Sequence, residues 1–341
     1  MAGESVFTNS REPRDEPRPR LIVWQITSKE GTLAGAHSDN ASIEESAEEL
    51  TTHECLLILD SISRLSKSIV VLTGSDPLLR PDLYEIVEYG YALGLKMVIE
   101  TPGLSISDDI LRKFHTLGPR IFRIVLNDNI MEDMDTRFRI SNTFLTIENN
   151  VKRLKEAGYE IHFGATVEHP DVRDLAFKLD YAIRHAAKGL YCHLCFRNHN
   201  GNSSDPEDEL QRQDEMIARI SALKKFIPKN MYFSPQCIKY MYHAPEQYSD
   251  VEPNNNGDKP ASEWVHLCLA GKTFAFINSV GKVQACLGLP FECGDLCENG
   301  YDFKMIWQNS ELFHQLRSRE RTHRDTQSEL GKLHEHQSHN V

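Results

Sequence analysis

The chain has 341 residues and a formal net charge of -12, from 38 basic and 50 acidic residues. This acidic balance argues against non-specific binding to nucleic acid or to an anionic membrane. The sequence has no apolar run long enough to span a membrane and no apolar signal core within Met1–Arg20, so we expect a cytoplasmic protein. Its eight cysteines are spread along the chain, which is typical of reduced thiols rather than of a secreted disulfide framework.

The first predicted unit is a strand, a loop and a helix. Residues 1–19 are charged and contain several prolines, so we expect a disordered arm there. The apolar run Leu21–Ile26 predicts a strand, and a long loop spans Thr27–Asn40. Ser42 and Glu45 have the spacing of a capping box, which predicts that a helix begins near Ser42.

A second apolar run, Ile69–Thr73, leads directly into a turn. The strand, helix and strand form a βαβ unit, which places the loop after each strand at the same, carboxyl end of the sheet. Ligand sites of open α/β sheets lie at this end. The turn that we expect there is Gly74-Ser75-Asp76-Pro77.

The alternation of strands and helices continues along the chain. Pro81 suits the first helical position and Gly94 suits the residue after a helix, so a helix is predicted over Pro81–Leu93. Six strands at βα spacing predict an α/β fold with a parallel, barrel-like sheet. The four later strands are predicted at Leu95–Ile99, Ile121–Leu126, Tyr159–Val167 and Gly189–Phe196, with helices between them near Ser107–Leu117, Thr143–Ala157 and Val172–Ala187.

Polar residues lie near the carboxyl ends of the later strands. Residues in this position line the cavity in barrel folds, so they are candidate ligand contacts. Each of them is also suited to capping a helix or to a solvated loop. They are Asn127, Asp128, Thr166, Glu168 and Arg197.

A separate C-terminal unit is predicted, and we expect its boundary at Val251–Pro260, a link rich in Asn and Pro, or slightly earlier. It contains a hairpin with strands at Thr273–Asn278 and Lys282–Ala285 and a turn at Gly281. The hairpin is framed by closely spaced cysteines.

These cysteines suit a four-thiolate site for zinc or for an iron-sulfur cluster. The alternative is that they are small residues of the hairpin core. Cys237, further upstream, is a substitute for one ligand. The four candidate ligands are Cys268, Cys286, Cys293 and Cys297.

The chain resembles the radical SAM family. In that family the loop after the first strand carries C-x-x-x-C-x-x-C, whose thiolates hold a [4Fe-4S] cluster. The second strand ends in a G-G-E-P turn that receives the methionine part of S-adenosylmethionine (SAM). The turn is kept in altered form as Gly74-Ser75-Asp76-Pro77. The resemblance implies a partial (β/α)6 barrel, with these four residues as a vestigial SAM site.

The cluster motif itself is lost. Its three ligand positions fall at Glu30, Ala34 and His37, and no cysteine lies between Met1 and Glu54. Iron-sulfur clusters need several thiolates, which a carboxylate, a methyl group and an imidazole do not replace. Glu30 and His37 together supply only two ligands for a divalent metal, which is a poor set.

The C-terminal unit resembles a SPASM domain, the extension that holds auxiliary iron-sulfur clusters. Cys268, twelve intervening residues, Gly281, four more and Cys286 match its opening. The similarity is closest to the enzymes of alternative haem and haem d1 synthesis, but their dense cysteine run is missing after Cys297. The resemblance implies a degenerate barrel over residues 20–230, a SPASM-like module over 231–317 and a disordered tail over 318–341.

Two functional interpretations follow. The first is a pseudoenzyme, a non-catalytic relative that binds a peptide, a tetrapyrrole or a partner enzyme and keeps residual affinity for SAM. The second is an active radical SAM-type or metal-dependent enzyme, an oxidoreductase or lyase, that modifies a tetrapyrrole or a peptide with a non-standard cluster. Neither interpretation involves nucleic acid or a membrane.

Overall fold

One sheet of ten strands organises the described part of the chain. The computed structural model describes residues 17–28, 48–117, 121–126, 142–167, 172–194, 222–237, 270–286 and 291–318. The strands lie in the spatial order β10-β9-β8-β1-β2-β3-β4-β5-β6-β7. They are β1 (Leu21–Thr27), β2 (Ile69–Gly74), β3 (Lys96–Thr101), β4 (Ile121–Leu126), β5 (Glu160–Val167), β6 (Gly189–Leu194), β7 (Tyr232–Cys237), β8 (Phe274–Ile277), β9 (Lys282–Gln284) and β10 (Glu292–Asp295).

Seven α-helices connect or flank these strands within the described ranges, and none of the seven is long and apolar enough to cross a membrane. Two short 3₁₀ turns lie at Pro77–Leu79 and Lys224–Phe226. The helices are α1 (Thr52–Leu65), α2 (Leu83–Ala92), α3 (Asp108–His115), α4 (Asn142–Glu156), α5 (Val172–Arg184), α6 (Phe303–Asn309) and α7 (Glu311–Ser318).

Strands β1 to β7 are parallel, and each pairs with the next along the chain. Helices α1 to α5 lie in the connections, which confirms the predicted α/β fold with a parallel sheet. Strands β1 to β6 coincide with the six predicted strands to within a few residues. Parallel strands covered on both faces are apolar throughout, and Val70, Val71 and Leu72 of β2 are accordingly all fully buried.

The two faces of the sheet have different neighbours. Phe122 of β4 contacts the rings of Phe114 in α3 and of Tyr159 edge to face, with centroids 6.3 and 5.1 Å away. Because side chains alternate along a strand, the next residue, Arg123, lies on the opposite face. We call that opposite face, which carries Glu100 and Arg123, the interior face.

Helix α1 begins at Thr52, so the prediction of a start near Ser42 was wrong. Ser42 and its partner Glu45 lie outside the described residues, while residues 48–50 are not helical. A second capping box sets the start: the Glu54 backbone N–H donates to Thr51 Oγ1 (3.4 Å), and the Thr51 N–H donates to the Glu54 carboxylate (2.7 Å). The sequence contains two pairs of residues with capping-box spacing, and the downstream pair lies at the start of the described helix.

Helix α2 begins at Leu83, later than the predicted start at Pro81. Arg80 Nε donates to Asp82 Oδ1 (2.7 Å), and the Leu83 N–H donates to the Arg80 carbonyl (3.3 Å), so residues 80–82 form a turn. The predicted end is confirmed: Gly94 follows the helix with a φ of +77°, a conformation that favours glycine.

Two strands were not predicted. β7 pairs with β6 in parallel, and β10 pairs with β9 in the antiparallel sense. Strand β7 was not predicted because it contains Pro235, and proline within an apolar run argues against a central strand. β7 also lies beyond residue 230, where the barrel was predicted to end, yet it extends the same sheet. The division of the chain into domains remains a prediction.

The C-terminal hairpin continues the sheet past β1. Strand β8 pairs in parallel with β1, with Leu21 opposite Phe274 and Trp24 opposite Ile277. Helix α6 is joined to α1 by a hydrogen bond from Ser61 Oγ to Asp302 Oδ1 (2.6 Å). The hairpin and α6 therefore contact the first βα unit.

The end of the predicted disordered arm is held in place by hydrogen bonds. Trp307 Nε1 donates to the Pro17 carbonyl (2.7 Å), and the hydroxyls of Ser66 and Ser68 donate to the Pro19 carbonyl (2.6 and 2.7 Å). Residues 1–16 lie outside the described ranges. The described residues thus include the last three that were assigned to the arm.

Gly74 is expected to tolerate no side chain. Its φ is +136°, and an added Cβ would lie 2.2 Å from the Thr27 carbonyl oxygen. We expect Gly74→Ala to lower the free energy of unfolding by about 3 kcal/mol, measured by urea denaturation. Gly300→Ala is the control: φ is +62° there but no heavy atom lies within 4 Å of the added Cβ, so the loss should be about 1 kcal/mol. Equal losses would contradict this account.

Glu54 should make stability depend on pH. The hydroxyl of Tyr301 donates to its carboxylate, Thr51 donates as well, and together they lower the pKa of Glu54 although partial burial opposes them. A lowered pKa means that this stabilisation is present above the ordinary value of 4.5 and is lost as the pH falls through the folded-state pKa. Between about pH 6 and pH 3, thermal unfolding should show a smaller loss for Glu54→Gln than for the wild type. Parallel curves would argue against the linkage.

Candidate ligand site at the carboxyl end of the sheet

The ends of β1 and β2 meet at the carboxyl end of the sheet. Gly74 is the last residue of β2 and pairs with Thr27, the last residue of β1. The clash that a Cβ at Gly74 would make with the Thr27 carbonyl shows how closely the two backbones approach. The turn that begins at Gly74 is therefore packed directly against the end of β1.

Asp76 is the buried centre of this turn. Its side chain caps the 3₁₀ turn, because Oδ1 accepts the Leu78 N–H (3.2 Å), and the same oxygen accepts a hydrogen bond from Thr101 Oγ1 (2.8 Å). The residue is only 3 % exposed. Among the described residues its second carboxylate oxygen, Oδ2, makes no hydrogen bond. One oxygen thus fixes the carboxylate, and the other remains able to accept from a ligand.

The end of β3 and the loop after it help to fix the position of the Asp76 carboxylate. Thr101, at the end of β3, also accepts the Gly103 N–H (3.0 Å) on its hydroxyl oxygen. Asn150 of α4 donates to the Gly103 carbonyl (2.8 Å), and Arg153 donates to the Ile106 carbonyl (2.7 Å). The position of the Asp76 carboxylate therefore depends on β3 and α4 as well as on its own turn.

Arg80 joins three segments beside the turn. Its guanidinium donates to the carbonyls of Ile26 (2.5 Å) and Leu50 (2.7 Å) and to both carboxylate oxygens of Asp82 (2.7 and 3.0 Å). Burial opposes ionisation of Asp82, but hydrogen bonds from Arg80 and Thr52 outweigh it and lower the pKa of that carboxyl. The hydrogen bonds of Arg80 thus connect the end of β1, the start of α1 and the turn before α2.

Glu49 connects the end of β1 to the segment before α1. Its Oε1 accepts hydrogen bonds from Thr27 Oγ1 (2.8 Å), from the Ser28 backbone N–H (2.7 Å) and from Ser28 Oγ (3.3 Å). The Leu50 N–H next to it donates to the Ser279 carbonyl (3.1 Å) in the turn of the C-terminal hairpin. The residues on either side of segment 29–47 are therefore joined by side-chain hydrogen bonds.

Charged and polar side chains fill the interior face below this end. Glu100 Oε1 accepts from Thr73 Oγ1 (2.8 Å), and Glu100 Oε2 accepts from Arg123 Nη1 (3.0 Å). The Arg123 guanidinium lies 4.1 Å from the centre of the Tyr191 ring on β6. Gly164 of β5 lies between them and has no side chain to separate them. Strands β2 to β6 thus each contribute one residue to what we call the interior row.

An aromatic cluster continues the interior row. The ring of His162 stacks on that of Tyr191 at 5.7 Å, and the ring of Tyr232 lies 5.5 Å from Tyr191. Burial lowers the pKa of His162, although Glu160, 2.8 Å from its Nε2, favours the charged form. Burial also raises the pKa of Tyr191. Tyr191 therefore keeps its hydroxyl proton at neutral pH.

The described members of the predicted four-cysteine set occupy different environments. Cys286 is buried after β9, and burial raises the pKa of Cys293 in β10 to about 12. Cys297 is exposed, and its Sγ donates to the Val280 carbonyl (3.6 Å). Within the described ranges no three His, Cys, Asp or Glu residues are grouped so that they could hold a metal ion. Cys268 lies outside those ranges, so the four-cysteine site stays a prediction.

The residues of the cluster loop do not fit a [4Fe-4S] cluster. Glu30, Ala34 and His37 lie outside the described residues, and none of them is a thiolate. The nearest cysteine along the chain, Cys55, is fully buried in α1, and burial raises the pKa of its thiol to about 12. A protonated core thiol cannot replace the missing ligands.

The later strand ends are less completely described. Thr166 lies in β5, but only its backbone is described. Asn127, Asp128, Glu168 and Arg197 fall outside the described ranges, as does the side chain of the substitute ligand Cys237. Their roles as cavity residues or ligands remain predictions.

Sequence reasoning missed the residues that dominate the described site. Arg80, Glu100 and Arg123 were not named as candidates. A signal was present for two of them, since Glu100 and Arg123 interrupt otherwise apolar strand patterns, and a charge at a core position marks a paired or functional group. The signal for Arg80 is weaker, because arginine in a turn is usually solvated.

Sequence comparisons identify a family model and two relatives to which this chain is similar. Residues 35–179 match the family model described as Radical SAM superfamily. An AdoMet-dependent heme synthase from Methanosarcina barkeri is 26% identical over 89% of this chain and 86% of its own length. The mycofactocin maturase MftC from Mycolicibacterium smegmatis is 24% identical over 88% of this chain and 72% of its own length.

A solved structure supports the fold. Streptococcus suis SuiB bound to S-adenosylmethionine superposes with a TM-score of 0.61 at 16% identity, over 89% of this chain and 68% of that chain. SuiB has also been solved bound to its precursor peptide SuiA. Residues 35–179 are thus similar to the radical SAM superfamily, and the described part of the chain shares the fold of SuiB.

Proposed function

We propose that this protein is a ligand-binding member of the superfamily that works without the [4Fe-4S] cluster and does not cleave SAM reductively. One observation carries the proposal: the turn at Gly74 to Pro77 keeps a tightly built geometry, whereas residues 1–54 contain no cysteine. The fold is thus retained at the turn that we assign to the ligand, and residues 1–54 contain no thiolate that would hold the cluster.

The loss of the thiolates removes two functions at once. The resemblance implies that the cluster iron of an active enzyme both supplies the electron for SAM cleavage and chelates the amino and carboxyl groups of SAM. In this chain the ammonium of a bound SAM has the Asp76 carboxylate as a partner, through the oxygen that Thr101 and Leu78 do not use. We therefore infer weak, residual SAM binding at this turn.

The ligand class is inferred from the relatives. One relative is named as a heme synthase and another as a peptide maturase, and SuiB was solved with a precursor peptide. A tetrapyrrole or a peptide is accordingly the ligand that we propose for this chain, with a partner enzyme as a further binding partner. The net charge of -12 favours neither nucleic acid nor an anionic membrane as an alternative.

The second candidate is an active enzyme with a non-standard metal centre. It is favoured by the relatives, which are named for synthase and maturase activities and align over most of their length. On this view the C-terminal cysteines hold zinc or an auxiliary iron-sulfur cluster. The two candidates differ in whether the purified protein contains stoichiometric metal.

Metal analysis of anaerobically purified protein should separate these candidates. We expect less than about 0.2 equivalents of iron and of acid-labile sulfide per chain, because a cluster requires thiolates that the loop lacks. Cys286→Ala should then leave the zinc and iron content unchanged. About four irons with labile sulfide, reduced by Cys286→Ala, would contradict the proposal and favour the enzyme.

Calorimetric titration should detect weak SAM binding that depends on Asp76. We expect a dissociation constant on the order of 100 µM, and Asp76→Asn should weaken it at least about tenfold because the ammonium loses its carboxylate partner. Asparagine still caps the 3₁₀ turn, so the fold is kept. The control is Asp302→Asn, the same change at the N-cap of α6, which should leave SAM binding unchanged. If both variants weakened SAM binding equally, the result would contradict the assignment of Asp76 as the partner of the SAM ammonium.

A further inference from the structure

We propose that the interior row contains a carboxylate-binding subsite built on Arg123. The subsite is distinct from the Asp76 turn, and it rests on the proposed function because it names the chemistry of the ligand. Tetrapyrrole propionates and acidic peptide side chains share that chemistry.

Arg123 is a buried cation that still has a donor to offer. Its side chain is 7 % exposed, and Nη1 donates to Glu100 Oε2 at 3.0 Å. Its Nε is buried and makes no hydrogen bond among the described residues. A buried N–H without an acceptor is rare in proteins, and a ligand oxygen is one of the groups that can satisfy it. Arginine, with five N–H donors in a plane, suits a carboxylate in particular.

The contrast with Arg80 separates a structural arginine from a binding one. Arg80 Nε, Nη1 and Nη2 each donate to oxygen atoms of the protein, namely those of Ile26, Leu50 and Asp82. Arg123 has one carboxylate partner, Glu100, and contacts the ring and the hydroxyl of Tyr191, but its Nε makes no hydrogen bond among the described residues. The protein therefore saturates the first guanidinium and leaves the second incompletely paired.

The surroundings of Arg123 hold the guanidinium in a defined orientation. Glu100 is itself held by Thr73 Oγ1 at 2.8 Å, so the ion pair is oriented from β2. Gly164 lies under the arginine, where an added Cβ would be 3.3 Å from Arg123 Cδ and 3.6 Å from Glu100 Oε2. A side chain at position 164 would crowd both partners. Glycine at this position therefore allows Arg123 and Glu100 to keep their orientation.

The charges favour an anionic ligand. A cationic group would be repelled by the guanidinium, whereas a carboxylate forms a charge-assisted hydrogen bond that is stronger than the bond to a neutral amide. Glu100 balances the charge of Arg123 when no ligand is bound, which avoids an isolated buried charge. The Tyr191 hydroxyl stays protonated, because burial raises its pKa, so it remains a hydrogen-bond donor. A carboxylate is the group that these donors recognise together.

The test compares acids with their blocked forms. Coproporphyrin III and its tetramethyl ester form one pair; an acetylated Glu-containing hexapeptide and its Gln counterpart form the other. We expect the wild type to prefer the acid of one pair at least about tenfold by fluorescence or calorimetry, and the pair that shows the preference identifies the source of the carboxylate.

The decisive variant is Glu100→Gln combined with Arg123→Gln, which removes both charges and leaves no unpaired ion. We expect this double variant to bind the acid and the blocked form within about twofold of each other. Arg123→Lys should give an intermediate preference, because lysine keeps the charge but not the planar fork. Arg64→Gln, at an exposed ion pair with Asp60, is the control and should retain the wild-type preference.

Three results would overturn the subsite: no binding of either acid, equal affinity of the wild type for acids and blocked forms, or an unchanged preference in a folded variant. If the double variant does not fold, Arg123→Lys decides, and a wild-type preference in that variant also overturns the subsite. SAM titration and iron analysis of the same samples show separately whether the proposed function has failed.

Discussion

The hydrogen bonds of Arg80 are the interaction on which the described site depends. A single guanidinium ties the end of β1, the start of α1 and the turn before α2 through Ile26, Leu50 and Asp82. Backbone carbonyls at the end of a strand and before a helix have no partners within their own elements, and Arg80 supplies them. Gly74 packs on the neighbouring Thr27 carbonyl. The hydrogen bonds of Arg80 therefore also stabilise the turn that carries Asp76.

The sequence allowed most of the barrel sheet to be predicted, because β1 to β6 are apolar runs with turn residues between them. The failures have local causes. Two pairs of residues before α1 have capping-box spacing. Only the structure shows that the pair at Thr51 and Glu54 lies at the start of the described helix. Strand β7 contains Pro235, and its place in the sheet comes from pairing with β6. Pairing between distant segments leaves little trace in a single sequence.

The site was harder to predict than the fold. The Gly74 to Pro77 turn was found because a short motif carries it, although its role as a SAM site remains a proposal. Glu100 and Arg123 were missed because their meaning depends on strand register: only the pairing of β3 with β4 brings the two charges together. The distinction between a saturated Arg80 and an incompletely paired Arg123 requires side-chain geometry. Composition and spacing contain no such information.

The central claim is our proposal that this protein uses a fold similar to that of radical SAM enzymes without the radical chemistry. The most direct measurement is 5′-deoxyadenosine, quantified by liquid chromatography after anaerobically prepared protein is incubated with SAM and dithionite. The account predicts no 5′-deoxyadenosine above the level of a protein-free control, because residues 1–54 hold no thiolate for a cluster. One equivalent or more per chain would show that a cluster is bound elsewhere and would contradict the account.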